Sequence, residues 1–280
     1  MPEPYRAVLI PAGLKHPRVR EFAAVKRRPA SAGLAGPITL EGTWMITQAQ
    51  AAGIALRAVF ACPALLQQRP DALALAAAVV AGGAEGYEVS ERVLARLTGR
   101  DGTDGLVAIA QGGPRTLDDI RVGSRTRVVI ADDWDLPGNL GTLIRCADGA
   151  GASGVLVVEP GFGLGHPLVV RASMGAALTM PVVAVGRRSA RQWLREAGFR
   201  IVAADPAGRR SYRAVDYRGP LALVVGSERR GLNPEWLTAA DAVVAIPMLG
   251  SCDSLNAAVT GALLLYEVLA QASSWPAIGK

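Results

Sequence analysis

Leu221-Ala222-Leu223-Val224-Val225-Gly226-Ser227-Glu228-Arg229-Arg230-Gly231-Leu232 decides the fold. A continuous apolar run enters a Gly-rich turn that carries one carboxylate. The run has the pattern of a strand buried on both faces of a parallel sheet. Turns at the carboxyl ends of such strands form the usual ligand crevice. The alternative is an ordinary strand-to-helix turn, with Gly231 present for backbone geometry. The same apolar signature recurs at 128–131, 154–158, 181–184, 199–204 and 242–247. An amphipathic helix is expected over 190–198 and a long final helix over 255–270. Residues 126–280 therefore read as an α/β domain with a parallel sheet.

The first part of the chain alternates in a shorter rhythm. Strands are expected at 38–40, 56–62, 87–89 and 106–111, and helices over 43–52, 71–81 and from a Ser90 cap to Leu97. These describe a smaller α/β unit over 15–112, preceded by a tail or added edge, 1–14. The polar stretch 113–125, with Pro114 and Gly123, is the expected linker. A short helix with a charged face is expected after Lys15, stopped by Pro29.

Of 280 residues, 50% are hydrophobic, enough for a sizeable core, and the formal charge is +6. A basic chain suits an anionic partner such as nucleic acid, although modest charge also aids solubility. Cys62, Cys146 and Cys252 are odd in number and far apart, which argues against a disulfide framework or structural zinc. Two histidines, His16 and His166, are too few for a His-rich metal centre. No signal-peptide pattern and no apolar run of membrane-spanning length is seen. A cytoplasmic protein without a metal is expected.

Three segments can carry chemistry. In Asn139-Leu140-Gly141-Thr142-Leu143-Ile144-Arg145, Asn139 suits a helix N-cap and Arg145 lies in an otherwise apolar helix. An arginine there needs a partner; an ion pair with Asp148 or Asp132 is the structural alternative. The Gly226 turn offers Glu228. In Ile246-Pro247-Met248-Leu249-Gly250-Ser251-Cys252-Asp253-Ser254-Leu255-Asn256, Ser254 can cap the last helix and Asn256 can both donate and accept. Gly161-Phe162-Gly163-Leu164-Gly165 lacks the dinucleotide-loop register and reads as a flexible loop.

In order and spacing, N-x-G-x-x-x-R, G-S-E-x-x-G-L and I-P-M-x-G-x-x-x-S-L-N, with Arg171-Ala172-Ser173-Met174-Gly175 between them, resemble the motifs of the SpoU-type RNA 2′-O-methyltransferases. Leu40-Glu41-Gly42 and the run from Val89 to Gly105 resemble, less strongly, the ribosomal-protein-like RNA-binding domain that often precedes them. The resemblance implies a deep trefoil knot, which periodicity cannot reveal, a homodimer, and S-adenosylmethionine as cofactor. It places cofactor contacts at Gly226, Ile246, Met248, Ser254 and Leu255. It places the catalytic arginine at Arg145, with Asn139, Glu228, Ser254 and Asn256 as companions. Arg229 stands where a second glycine is common, and Ala257-Ala258 where Val-Ser is commoner.

Lys15, Arg18, Arg20, Lys26, Arg27, Arg28 and Arg171 are the expected RNA contacts; a solvated charged face is the alternative. The implied reaction is 2′-O-methylation of a ribose in RNA, with large-subunit ribosomal RNA as the expected substrate. Some relatives protect ribosomes from antibiotics, and the sequence does not separate those from housekeeping enzymes. The alternatives are a transfer-RNA enzyme, a non-catalytic RNA-binding relative and a small-molecule methyltransferase.

Overall fold

The structure, a computed structural model, describes residues 9–27, 34–67, 69–100 and 103–272. The chain forms two compact units: residues 9–114 with Gly163–Thr179, and Arg115–Phe162 with residues 180–272.

The first unit runs β1 (Ile10–Pro11), α1 (Pro17–Val25), β2 (Gly36–Glu41), α2 (Thr43–Ala51), β3 (Ala55–Ala61), α3 (Pro63–Leu66), α4 (Pro70–Ala81), β4 (Glu85–Glu88), α5 (Glu91–Thr98) and β5 (Leu106–Gly112). Its five-stranded sheet has the order β1-β4-β3-β5-β2. β1 to β4 and β3 to β4 are parallel, and β5 is antiparallel to both β2 and β3. On one face Val19 and Phe22 of α1 and Val93, Leu94 and Leu97 of α5 pack with Phe60 and Tyr87. The amphipathic reading of α1 is thus seen directly: Val19, Phe22 and Val25 are its buried stripe. Pro29, the expected stop, lies outside the described residues. The other face is covered by Met45, Ile46 and Ala49 of α2 and by Ala72, Ala76 and Val79 of α4. Val170 of α7 (Pro167–Ala172) and Leu178 of α8 (Ala176–Thr179) join that same cluster. The sequence reading had not found these two short helices.

The second unit runs β6 (Arg127–Asp132), α6 (Pro137–Gly149), β7 (Gly154–Val158), β8 (Val182–Val185), α9 (Arg187–Glu196), β9 (Arg200–Ala204), β10 (Arg210–Ser211), β11 (Leu221–Gly226), α10 (Pro234–Ala239), β12 (Ala242–Ala245) and α11 (Ala257–Gln271). The sheet order is β10-β12-β9-β11-β6-β7-β8, parallel throughout. Both faces are buried, which is why its strands read as unbroken apolar runs. Ala190 and Leu194 of α9 and Trp236 of α10 cover one face. On the other, α11 packs along α6 and onto β11. Gly261 lets α11 approach closely: a Cβ there would lie 2.3 Å from Leu143 Cδ1 and 3.8 Å from Val225 Cγ2. The last strand is inserted between β9 and β10, and α11 then returns over β11 and α6 to reach the turn at 212–214.

Two helix starts differ from expectation. α6 begins at Pro137, so Leu136 and not Asn139 is its N-cap. Proline at the first helical position has its φ already set and no N–H to satisfy. α11 begins at Ala257 because Asn256, not Ser254, caps it: Asn256 Oδ1 accepts from the N–H of Ala258 at 3.0 Å and of Val259 at 3.3 Å. The glycine-rich loop at 161–165 is anchored, not loose, since Phe162 and Leu164 are buried and Gly161 N–H donates to Trp134 O at 3.2 Å. Among the described residues no helix is long and apolar enough to cross a membrane.

Candidate active site

At the carboxyl ends of β9, β11 and β12 the second unit holds a cleft of about 510 Å³. Its walls come from four places: Ala204-Asp205-Pro206 after β9, residues between Val225 and Leu232 around the Gly226 turn, Val244 to Met248 and Asp253 to Leu255 at and after the end of β12, and Ala257 and Thr260 of α11. Gly226, Ile246, Met248, Ser254 and Leu255 all line it. Asp205, at the rim, was not singled out from sequence; its place at the end of a buried strand was the available signal.

Gly226 is required by close approach. A Cβ there would sit 2.3 Å from the carbonyl carbon and oxygen of Gly231 and 2.5 Å from Leu232 N. The turn folds back on itself through a Ser227–Gly231 bridge, with Gly231 N–H donating to Ser227 O at 2.9 Å. Gly231 reverses the chain at φ +64, a conformation glycine adopts without cost. Trp134, buried, supports β11 from beside it by donating its indole N–H to Val225 O at 3.0 Å.

Glu228 lies at the cleft's mouth and joins the segments the sequence had linked only by pattern. Its Oε1 accepts from Asn139 Nδ2 at 2.7 Å, from Asn256 Nδ2 in a short bond, and from Ala257 N–H at 3.2 Å. One carboxylate oxygen thus fixes the first turn of α6, the start of α11 and the turn after β11. Asn256 uses its amide nitrogen on Glu228 and its oxygen as the helix cap, so its orientation is fully determined. Ser254 is exposed and donates to Asp253 Oδ1 at 3.2 Å. It lines the cleft without joining the Glu228 cluster.

Arg145 is exposed on α6 and, among the described residues, has no carboxylate at ion-pair distance. The alternative pairing is absent. Asp148 is exposed, and Asp132, completely buried, is already occupied. Its Oδ1 accepts from Arg187 Nε at 3.1 Å and lies in ion-pair contact with Nη2 at 3.1 Å, and its Oδ2 accepts from Asn233 N–H at 3.1 Å. Arg187 also pairs with Glu159 through Nη1 at 2.9 Å. Burial opposes the charge on Arg187, but Asp132 and then Glu159 outweigh it and hold the guanidinium protonated more firmly than usual. A buried charge so completely partnered is a structural clamp on the strand ends. The residues just beyond β6 and β7, Asp133 at φ +57 and Glu159 at φ +49, are turned into the left-handed region beside it. Arg229 pairs with Asp135 at 3.5 Å and Arg230 with Asp133 at 2.6 Å, which is how the arginine in the commoner glycine position is accommodated.

In the first unit the basic residues fall into two groups. Lys15, Arg20 and Arg27 are exposed. Arg18 is engaged by Glu85 and Glu21, and Lys26 by Glu41 Oε1 at 2.8 Å, Leu97 O at 3.0 Å and Thr98 O at 2.6 Å. Lys26 has spent all three of its donors inside the protein. Arg171 lies 3.7 Å from Glu41 Oε2. Arg28 lies outside the described residues. His166 caps α7, its Nδ1 accepting from Leu168 N–H at 3.1 Å; burial, then the charge of Lys26, pushes its pKa down.

Residues 126–266 match the model of the SpoU rRNA Methylase family, and residues 17–108 match an MRM3-like substrate binding domain. A 23S rRNA (uridine(2479)-2′-O)-methyltransferase of Streptomyces viridochromogenes is 36% identical over 172 residues, 59% of this chain and 60% of that protein. The 23S rRNA (guanosine-2′-O-)-methyltransferase RlmB of Ralstonia nicotianae is 35% identical over 65% of this chain and 76% of its own length. The chain thus spans about 60% of the first of these relatives. Among solved structures, an AdoMet-bound rRNA methyltransferase from Sinorhizobium meliloti aligns over 95% of this chain and 99% of its own, with TM-score 0.83 and 30% identity. The SpoU methyltransferase AviRb from Streptomyces viridochromogenes, in complex with AdoMet, aligns over 94% and 100%, with TM-score 0.81 and 27% identity. The strand-end cleft, the Glu228 cluster and the matched span 126–266 coincide in one domain, and by that match the chain belongs to the SpoU rRNA methylase family.

Proposed function

We propose that this chain transfers a methyl group from S-adenosylmethionine to a ribose 2′-hydroxyl of large-subunit ribosomal RNA. The observation that carries the reading is Glu228: it lines the cleft and holds Asn139 and Asn256 at its mouth. The ribosomal choice is supported by relatives named for 23S rRNA and by alignments that extend over both units. The cleft fits the cofactor in size, falling within the range of small-molecule sites. Apolar residues such as Val225, Ile246 and Leu255 line it beside the carboxylates of Asp205, Glu228 and Asp253, and at Gly226 the turn leaves no room for a side chain.

When bound, the cofactor supplies an electrophilic methyl on a sulfonium. Gly226, Ile246, Met248 and Leu255 would hold its nucleoside, with Asp205 and Ser254 as the polar groups at the edges. Glu228 keeps Asn139 and Asn256 in one orientation, so that their amides meet the ribose without rearrangement; such positioning supplies much of the rate. A guanidinium such as that of Arg145 is a poor base. Exposed and without a carboxylate partner, it is suited to clamp the phosphate beside the target ribose and stabilise charge developing on the oxygen. The proton would leave to that phosphate or to water.

Val259, Leu263 and Tyr266 of α11 face outward and, with Thr142 and Cys146 of α6, line an apolar groove of about 250 Å³. A twofold homodimer through this face, in the cytoplasm, completes the proposal. The test is incubation with total RNA and methyl-labelled cofactor, followed by nucleoside analysis and mapping by primer extension. A 2′-O-methylated nucleoside in large-subunit RNA is expected. Label in a base, or in transfer RNA alone, would overturn the assignment.

A further inference from the structure

We propose that Trp44, Arg100 and Arg171 form a site for a single-stranded RNA nucleotide, the base stacked on the indole and the phosphate held by the guanidiniums, with Glu41 positioning both arginines. It rests on reading the chain as an RNA-modifying enzyme and names where that RNA is gripped.

Two segments of the first unit are tied side by side. Glu41 meets Arg171, and three residues further along each segment Trp44 Nε1–H donates to Met174 O at 2.9 Å. The turn bearing Trp44 is firmly held: Thr43 N–H and Oγ1–H both donate to Asp104 Oδ2, at 2.6 and 2.7 Å. Trp44 is nevertheless 54% exposed. Trp134 and Trp236 are buried, and Trp193 lies against Phe199 with ring centroids 5.0 Å apart. Among the described residues Trp44 is therefore the one exposed tryptophan, Trp193 being half-buried. An indole whose only polar atom is satisfied and whose ring is open is a platform for a nucleobase, and stacking is the general means of holding unpaired RNA.

The charges beside it complete the site. Glu41 is 5% exposed, and Lys26 satisfies its Oε1. Its Oε2 is buried without a hydrogen bond and faces Arg100 Nε at 3.8 Å and Arg171 Nη1 at 3.7 Å. The arginines are 47% and 42% exposed. They are attracted without being consumed: no direct hydrogen bond to the carboxylate forms, and most of their donors remain for a phosphate. Three positive groups surround one negative, so the cluster keeps an excess of positive charge for an anionic strand.

The experiment uses the full chain, a fluorescein-labelled ten-nucleotide oligouridine, and a ten-base-pair RNA duplex, read by anisotropy over a range of salt. The single strand should bind more tightly than the duplex. Trp44→Ala should weaken it about tenfold or more with the salt slope unchanged, and Trp44→Phe should retain most of the affinity. Arg100→Ala and Arg171→Ala should each lower the slope by about 0.7. Glu41→Gln gives the sign test: loss of a negative charge alone would tighten binding, whereas loss of a positioning group weakens it. If that variant fails to fold, Trp44→Ala, at an exposed site, and Arg171→Ala, at a half-buried one, still decide. Preference for the duplex, or wild-type affinity in both of these variants, overturns the proposal. So does a change in sedimentation of Trp44→Ala without a change in RNA affinity, which would mark a protein contact. Cofactor calorimetry and methyl transfer to ribosomal RNA are measured in parallel. Their failure with the single-strand results intact would remove the enzymatic reading and leave this one standing.

Discussion

Replacing Gly226 by alanine asks whether the turn at the end of β11 is as tightly closed as its geometry implies. The added Cβ would lie 2.3 Å from backbone atoms of Gly231, whereas contacts under 3.4 Å are already tight. The 231–232 backbone must then retreat by about 1.1 Å, the difference between those two distances. No rotamer change can relieve this, because the obstacle is main chain. The retreat also strains the Ser227–Gly231 bridge. Overpacking of this kind costs about 1–3 kcal/mol. In a domain of this size each kcal/mol is worth about 2–4 °C, so the melting temperature should fall by about 2–12 °C. Gly231 and Leu232 line the cleft proposed for the cofactor, so the same movement should weaken S-adenosylmethionine binding about tenfold or more. Differential scanning fluorimetry and titration calorimetry measure the two halves. Gly231→Asn is the control: nothing lies within 4 Å and asparagine tolerates positive φ, so both readings should stay near wild type. A Gly226→Ala protein with wild-type melting and wild-type affinity would refute the reasoning.

Arg145→Ala should melt as the wild type does and bind cofactor, yet lose most methyl transfer; Arg145→Lys should also fall sharply, and near-normal turnover by the lysine variant would show that charge suffices without the planar fork. Glu85 is held at a pKa of about 2, against an ordinary 4.5, by hydrogen bonds from Arg18 and then Tyr87. A depressed carboxylate stabilises fully above its unfolded pKa and loses that contribution as pH falls through its folded one. Glu85→Gln should therefore flatten the melting-temperature curve between about pH 4.5 and 2, and superimposable acid limbs would count against the pairing. Leu263→Glu, placed on the exposed face of α11, should shift a wild-type dimer to monomer in sedimentation; a monomeric wild type at micromolar concentration would end the dimer proposal. Truncating the chain before Ile38 would remove the core residues Val19 and Phe22, so the RNA test on this region is better made with Lys15, Arg20 and Arg27 to alanine. The triple variant should lower the slope of affinity against salt, and an unchanged slope would return these residues to a solvated face.

The parallel sheet was legible because burial on both faces leaves each strand an unbroken apolar run; 154–158 appears in the structure with the limits read from sequence. Helix starts were less legible, since Asn139 and Asn256 have the same chemistry and only the fold decides which one caps. Asn256 does; Asn139 turns to Glu228. The grouping of Asn139, Glu228, Ser254 and Asn256 was what the family resemblance implied, but the single oxygen on which the bonds of Asn139 and Asn256 meet, and from which Ser254 stands apart, is a tertiary fact. Asp132 was offered only as an alternative partner for Arg145, and its true partner was hidden for the same reason. That partner, Arg187, is distant in sequence and brought to it only by the sheet. The short helices α3, α7, α8 and α10 gave too few residues for any period to emerge. Trp44 carried no signal of its own within a helix pattern, because exposure is not written in the residue type.

The detour of Gly163–Thr179 into the first unit has a consequence for modularity. The chain passes between the units three times, at 114–115, 162–163 and 179–180, and not once through a simple tether. The span 17–108 is thus a recognisable cassette in sequence but an incomplete one in physical terms. Excised alone, it would lack Val170 and Leu178 and leave part of the face bearing Ile38, Met45 and Ile46 bare to water. A fragment with an uncovered apolar face of this kind is prone to self-associate. The complementary fragment would carry α7 and α8 with no surface to receive them. Shuffling between relatives that respects only the linear boundary should therefore yield sticky, poorly behaved hybrids. An exchange that moves the detour together with the front portion should yield soluble ones, so heredity of the two parts is linked by packing and not merely by adjacency along the gene.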